Sequence, residues 1–310
     1  MRHAPHHGPR PTVGLSPLGV PRTAPYGRDV TEAFFFPLDP VAGEDRFLAA
    51  PAGVGPWSSD ALHGGPPAAL AVRACERVAH AAGGEHLVAL RAGIDFLGPV
   101  PLGSLHVRAR VIRSGRRITL AESRVEAGGR PVAIAHTWLL RTSSDDAPDL
   151  VQDVARSAAD PMGRPPEAPR PGPQACPPAM TDWAFPYARA LEWRHVAGDP
   201  GRAGDAAAWA RPRIPLVPGE TLSGLQRAVL IADSGNGISA ALDWDRWSFV
   251  NVDLAVHLSR AVRGEWVLLD ARTRYEPGGT GLATSELHDV DGAIGAGAQT
   301  LVISRLAGSG

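Results

Sequence analysis

Apolar and polar residues alternate through the middle of this chain in runs of strand length, and glycine or proline falls between the runs. Leu87 to Phe96, Leu102 to Ser114, Arg117 to Glu126 and Arg130 to Arg141 read as four strands at meander spacing, the last two joined by a Gly128-Gly129 turn. Ahead of them, Phe34 to Phe36 and Asp45 to Ala50 read as short strands. A loop, AGVGPWSSDALHGG, then leads to a helix from about Gly65 to Ala82, with Pro66 and Pro67 in its first turn. The order is therefore strands, helix, antiparallel meander.

The same order returns further on. Leu191 to His195 and Ala206 to Ala210 read as strands, Thr221 to Asn236 as a helix, and Phe249 to Ser259, Glu265 to Tyr275, Leu282 to Asp289 and Ala298 to Arg305 as a second meander. The spacing from Gly64 to Asp95 nearly equals that from Ser223 to Asp253, Gly103 falls where Gly264 does, and Gly128-Gly129 where Gly292 does. Two copies of one unit explain this, each a curved antiparallel sheet wrapped on one long helix, an α+β architecture. The expected division is a tail over 1–28, a first unit over 29–142, a Pro-rich linker over 143–179 and a second unit over 180–306. His3, His6 and His7 fall in the tail, where solvation is expected of them.

Asp233 departs from the pattern. Leu222, Leu225 and Val229 mark the buried face of the second helix, and Asp233 lies close to three whole turns beyond Leu222, on or beside that face. It precedes Gly235, the expected helix stop, where the macrodipole disfavours an acid. Two readings stand open: a solvated acid fraying the helix end, or an acid kept for chemistry.

Composition narrows the field. A formal net charge of -1 gives no footprint for nucleic acid or an anionic membrane. All 31 basic residues are arginine, which points to codon usage rather than to phosphate binding. Cys75 and Cys176 form no metal cluster or disulfide framework. No apolar run is long enough to span a membrane and no signal-peptide core is visible, so the cytoplasm is the expected compartment. There is no G-x-S-x-G elbow for a serine hydrolase, and GAIGAG around Gly295 lacks the context of a dinucleotide site and reads as a flexible turn.

HGGPPAAL, IDFLGPVPLG and RSGRRITLAESRVEAGGRPVA in the first unit, and FVNVDLAVHLSRAVRGEWVLLDARTRYEPGGTGLA in the second, resemble the double hotdog acyl-CoA thioesterases typified by acyl-CoA thioesterase II. The resemblance implies two tandem hotdog units that take an acyl-CoA to free acid and CoA with no cofactor or metal. It implies a site of Asp on the second helix, Thr on the following strand and Gln on the last strand, which fall here on Asp233, Asn251 and Gln299. Asn for Thr is a departure, since an amide offers no hydroxyl. Strand alternation also puts Asn251 on the face opposite Val250, Val252, Leu254 and Val256, so it reaches a core site only if a bulge turns it. His63, Gly64 and Gly65 are the expected substrate-binding segment, with backbone N–H groups at a helix start to polarise the thioester carbonyl and His63 as a hydrogen-bonding residue. Asp95 and Asp253, at matching places in the two copies, are expected to be structural. Of Arg116, Arg117, Arg260 and Arg263, each a possible contact for CoA phosphates, a solvated surface role is expected. Trp57, Trp138, Trp244, Trp247 and Trp266 are candidates to narrow the acyl tunnel. Two rivals stand: a non-catalytic acyl-CoA-binding hotdog protein, and a hotdog enoyl-CoA hydratase, for which DSGNGIS supplies the Asp but no His. Fused units already supply the pairing that single hotdogs gain by dimerising, so further homo-oligomers are an expectation of the family alone.

Overall fold

The computed structural model describes residues 33–41, 44–82, 86–142, 152–156, 171–176, 185–198 and 203–306. The expected tail, most of the expected linker, and with them His3, His6 and His7, lie outside the described residues. The first unit comprises β1 (Phe35–Val41), β2 (Glu44–Ala49), α1 (Gly65–Ala81), β3 (Leu87–Phe96), β4 (Ser104–Ser114), β5 (Ile118–Ala127) and β6 (Arg130–Arg141). The second comprises α2 (Pro186–Arg189), β7 (Leu191–Ala197), β8 (Ala206–Pro212), α3 (Gly224–Ala232), α4 (Gly235–Ile238), β9 (Trp247–Asn251), β10 (Asp253–Leu258), β11 (Val267–Glu276), β12 (Thr280–Asp289) and β13 (Gly292–Arg305).

All of the named strands join one sheet in the order β1-β2-β4-β5-β6-β3-β10-β13-β12-β11-β8-β7, with β9 also paired to β13. Read from either end, the order meets equivalent strands of the two copies, so the repeat seen in the sequence is a repeat in space. The halves meet where β3 and β10 run antiparallel, and there Asp95 stands opposite Asp253. The matched aspartates thus mark the pseudo-two-fold axis. Asp253 has a structural task, because its Oδ1 accepts from the Thr300 N–H at 2.7 Å.

The helices lie together on the concave side. Leu70, Val72, Leu225, Val229, Leu230 and Ile231 are fully or almost fully buried, each contributing about 1.5–3 kcal/mol relative to exposure. α1 and α3 approach so closely that a Cβ on Gly65 would lie 2.5 Å from the Leu230 carbonyl oxygen.

Three local expectations change. The second helix does not run through Asp233 to stop at Gly235. α3 ends at Ala232, because the Leu230 carbonyl that the Ser234 N–H would take in a continuing helix accepts instead from Tyr187 Oη at 2.6 Å. The Ser234 N–H turns tighter, to Ile231 O at 3.0 Å, and α4 follows. Gly235 is needed for contact rather than termination, since a Cβ there would meet Ser285 Oγ at 2.8 Å and Gln299 Oε1 at 2.9 Å.

GAIGAG is no flexible turn. It opens β13, and a Cβ on Gly295 would lie 1.9 Å from the His257 carbonyl oxygen, so glycine lets β13 close on β10. Finally, the single strand expected over Phe249 to Ser259 is two. Asn251 pairs with Leu301 but Ala255 with Ala298, so four steps on one strand face three on the other, a β-bulge at Val252.

Candidate active site

The bulge decides where Asn251 points. Val250 and Val252 are 44% and 42% exposed whereas Leu254 and Val256 are buried, so the chain changes face between Val252 and Leu254. Ahead of the change, odd-numbered residues face inward, among them the fully buried Phe249. Asn251 therefore reaches the interior, where its Nδ2 donates to Asp233 Oδ1 at 2.8 Å and to Asp253 O at 3.1 Å.

Asp233 caps the C-terminal end of α3 and is only 2% exposed. Its oddity in sequence dissolves in space, because the carboxylate abuts the N-terminus of α1 in the other half. A Cβ on Gly64, the N-cap of α1, would lie 2.8 Å from Asp233 Oδ2 and 3.1 Å from Oδ1. The dipole that disfavours the acid at the end of its own helix is offset by the one that favours it at the start of α1. His63 Nδ1 adds a contact of 2.9 Å to Oδ2. The same nitrogen lies 3.2 Å from the Gly65 N. It serves one neighbour at a time: protonated it donates to the carboxylate, unprotonated it accepts from Gly65. Pro66 and Pro67 carry no N–H, which leaves Gly64 and Gly65 as the donors at this helix start.

Gln299, 2% exposed on β13, completes the frame. Its Nε2 donates to Asp233 O at 3.0 Å and stands 3.4 Å from Oδ1, while its Oε1 accepts from the Asn236 N–H at 3.1 Å. The Asp, Asn and Gln converge, and His63, Gly64 and Gly65 join them from the first half.

Tyr187 and Asn236 are participants that sequence reasoning missed. The Tyr187 ring stacks on His63 with centroids 3.8 Å apart and planes 9° apart, and its hydroxyl lies 3.1 Å from Ser234 Oγ as well as on Leu230 O. Burial pushes its phenol well above the ordinary tyrosine range. Asn236 Nδ2 donates to Phe249 O at 3.0 Å. Nothing near Tyr187 marks it in sequence, for its partners lie over forty residues away. Asn236 was visible only as a neighbour of Asp233.

His63, Gly64, Tyr187, Asp233, Asn236 and Asn251 border a cavity of about 500 Å³ between the halves, and Gln299 and Gly65 lie behind them. Its walls are largely apolar and include Trp57, Phe96, Trp193, Trp244 and Phe249. Of the five tryptophans considered from sequence, Trp57 and Trp244 line it; Trp138, Trp247 and Trp266 do not, and Trp193 does. Arg260 is taken up by Asp289, at 2.5 and 2.7 Å, and Arg263 pairs with Asp291 at 3.0 Å, while Arg116 and Arg117 are exposed between β4 and β5. Among the described residues no three His, Cys, Asp or Glu side chains gather as a metal site would require. No helix among them is long and apolar enough to cross a membrane.

A helix under a curved sheet, twice over, long in the first copy and broken into α3 and α4 in the second, with a polar cluster between the copies, is the double hotdog architecture. Residues 54–140 match the acyl-CoA thioesterase N-terminal domain and residues 164–303 the acyl-CoA thioesterase C-terminal domain. The chain belongs to the double hotdog acyl-CoA thioesterase family. Among solved structures it is similar to an acyl-CoA thioesterase II from Mycobacterium marinum, with TM-score 0.59, 16% identity and coverage of 88% of this chain and 97% of that one. It is also similar to a protein with a hot dog fold from Alicyclobacillus acidocaldarius, with TM-score 0.63, 15% identity and coverage of 90% and 98%. A tesB protein from Mycobacterium avium subspecies paratuberculosis shares 14% identity at TM-score 0.60, over 86% of this chain and 95% of that one. No protein of curated function matches it.

Proposed function

We propose that this protein hydrolyses acyl-CoA thioesters to the free acid and CoA through a water held by Asp233, with Gln299 positioning that acid. The observation that carries the reading is the buried Asp233 carboxylate, fixed by Asn251, His63 and Gln299 at the wall of an apolar cavity. Thioester hydrolysis needs a positioned water, a group to take its proton, and donors where charge develops on the carbonyl oxygen. Asp233 takes the proton, and Gln299, tied to both the Asp233 backbone and the start of α4, keeps the carboxylate in register. Asn251 supplies the donor to Asp233 that a threonine hydroxyl would supply, so the Asn-for-Thr departure conserves that hydrogen bond. The donors for the thioester oxygen are at the start of α1, where Gly64 lines the cavity. The water adds to the carbonyl carbon, the C–S bond breaks, and the leaving thiolate takes the proton held by Asp233 to depart as CoA, which restores the carboxylate. All of these groups belong to one chain, so the site needs no second copy.

One observation favours a second reading. The His that an enoyl-CoA hydratase would need, missing beside Asp233 in the sequence, arrives from the first half as His63 at 2.9 Å. A short α,β-unsaturated acyl-CoA separates the possibilities in one cuvette. Free thiol appearing at the rate of substrate loss supports hydrolysis. Loss of the conjugated chromophore without thiol supports hydration, and tight binding with neither change supports a binding protein.

A further inference from the structure

We infer that Trp57 and Trp244 form the end wall of the acyl pocket and set the longest acyl chain that the site accepts. The inference rests on the acyl-CoA reading for the nature of the ligand and on independent geometry for the wall. Trp57 comes from the loop ahead of α1 and Trp244 from the turn between α4 and β9, one from each half. Their rings stack with centroids 5.1 Å apart and planes 13° apart, too close for a chain to pass between them. Phe249 stands edge-on to both, at 4.9 Å and 84° to Trp57 and at 4.7 Å and 73° to Trp244. Edge-to-face and offset stacks are the preferred arrangements of aromatic rings, so the three hold one another.

This wall is anchored at its base and exposed at its back. Phe249 is fully buried, and its carbonyl accepts from Asn236, whose N–H in turn donates to Gln299. Trp244 lines the cavity and yet is 36% exposed, so its indole stands between the pocket and solvent. Gly237 lies against it, and a Cβ there would come within 3.8 Å of the Trp244 ring, so this wall of the pocket is kept wide by a missing side chain. Packing on Trp57 and Phe249 at a position 36% exposed does not by itself call for an indole. Closing a hole between two loops does require its size.

Truncating either indole should open the pocket at this end, and adding carbon at Gly237 should shorten it. The test compares wild type with Trp57→Ala, Trp244→Ala and Gly237→Val on straight-chain acyl-CoAs from short to long. In parallel, binding of non-hydrolysable S-alkyl-CoA thioethers of the same lengths is measured by calorimetry. The expected result is a rise of about tenfold or more in the long-to-short ratio of kcat/KM, and of thioether affinity, in both alanine variants, and a fall in Gly237→Val. Trp57→Phe and Trp244→Phe, which keep a ring, should shift less and serve if an alanine variant fails to fold. Length preference unchanged in folded Trp57 and Trp244 variants overturns the inference. Should wild type release no CoA, the hydrolysis reading fails, while the thioether series still decides the wall.

Discussion

Gly64→Ala tests the placement of the carboxylate with the smallest possible change. Gly64 has φ -64° and ψ -24°, a right-handed helical conformation open to any L-residue, so alanine meets no backbone strain. What it meets is Asp233, with Oδ2 at 2.8 Å and Oδ1 at 3.1 Å, and Phe96 Cζ at 2.8 Å. Ordinary contact begins near 3.4 Å, so the acid and the helix start must separate by about 0.6 Å. Asp233 has little room to retreat, being held by Asn251 on Oδ1 and by Gln299 through its backbone. Since about 1 Å of misplacement costs roughly hundredfold in rate, the expected loss in kcat/KM is about ten- to hundredfold, or about 1.4 to 2.7 kcal/mol in the barrier. Thermal stability should fall by about 1 kcal/mol, the low end of overpacking. Gly65→Ala is the contrast, because its Cβ would strike the Leu230 carbonyl at 2.5 Å and force α1 from α3. Its cost should appear as about 1 to 3 kcal/mol of stability together with a loss of rate, because the same helix start faces Asp233. The assay is thiol release with a medium-chain acyl-CoA beside a thermal melt. A folded Gly64→Ala with kcat/KM within about twofold of wild type would refute the reasoning.

Other consequences follow from buried polar groups. Gln299→Glu keeps an acceptor for the Asn236 N–H but replaces the donor to Asp233 with a second carboxylate; steady-state kinetics should show a loss of about hundredfold, and a wild-type rate would remove Gln299 from the site. Glu76, buried on α1 and accepting from Ser223 Oγ at 2.7 Å and from Gln226 Nε2, has its carboxyl raised by that burial. A raised carboxyl favours folding when protonated, so its contribution is present below the unfolded value near 4.5 and lost as pH rises through the folded value. Melts across pH should therefore show wild type losing stability relative to Glu76→Gln as pH rises above that point; a difference constant with pH contradicts it. Asp289 behaves oppositely: burial opposes its ionisation, but Arg260 and the N–H groups of Arg263 and Asp291 outweigh it and hold the carboxyl below the ordinary range. Its contribution is present above the unfolded value and lost as pH falls through the folded one. Arg260→Ala should cost about 2 kcal/mol at neutral pH, fading in acid, by denaturant titration.

What the sequence disclosed was what local pattern can carry. The strand-helix-meander order, its repetition and the matched Asp95 and Asp253 were legible because alternation, helical spacing and glycine turns are written within a few residues of one another. Asp233 was legible as a local contradiction. Its resolution was not, because the helix start that welcomes the acid belongs to the other half of the chain. Alternation turns Asn251 inward only if a bulge intervenes, and the bulge at Val252 is set by pairing with β13, which lies about fifty residues on. GAIGAG was misread for the same reason: glycine in a strand and glycine in a turn look alike until the neighbouring backbone is present. Tyr187, which ends α3 and stacks on His63, acts wholly through distant partners.

The central claim is that the Asp233 carboxylate drives hydrolysis of a CoA thioester. The direct measurement is CoA release, followed with a thiol reagent over short to long acyl-CoAs, for wild type and Asp233→Asn, which keeps the size of the side chain and removes its charge. Wild type should release CoA, and the variant should lose about 10² to 10⁴ in rate, the range of general-base catalysis. Full activity in a folded Asp233→Asn, or no release by wild type at any chain length, would contradict it.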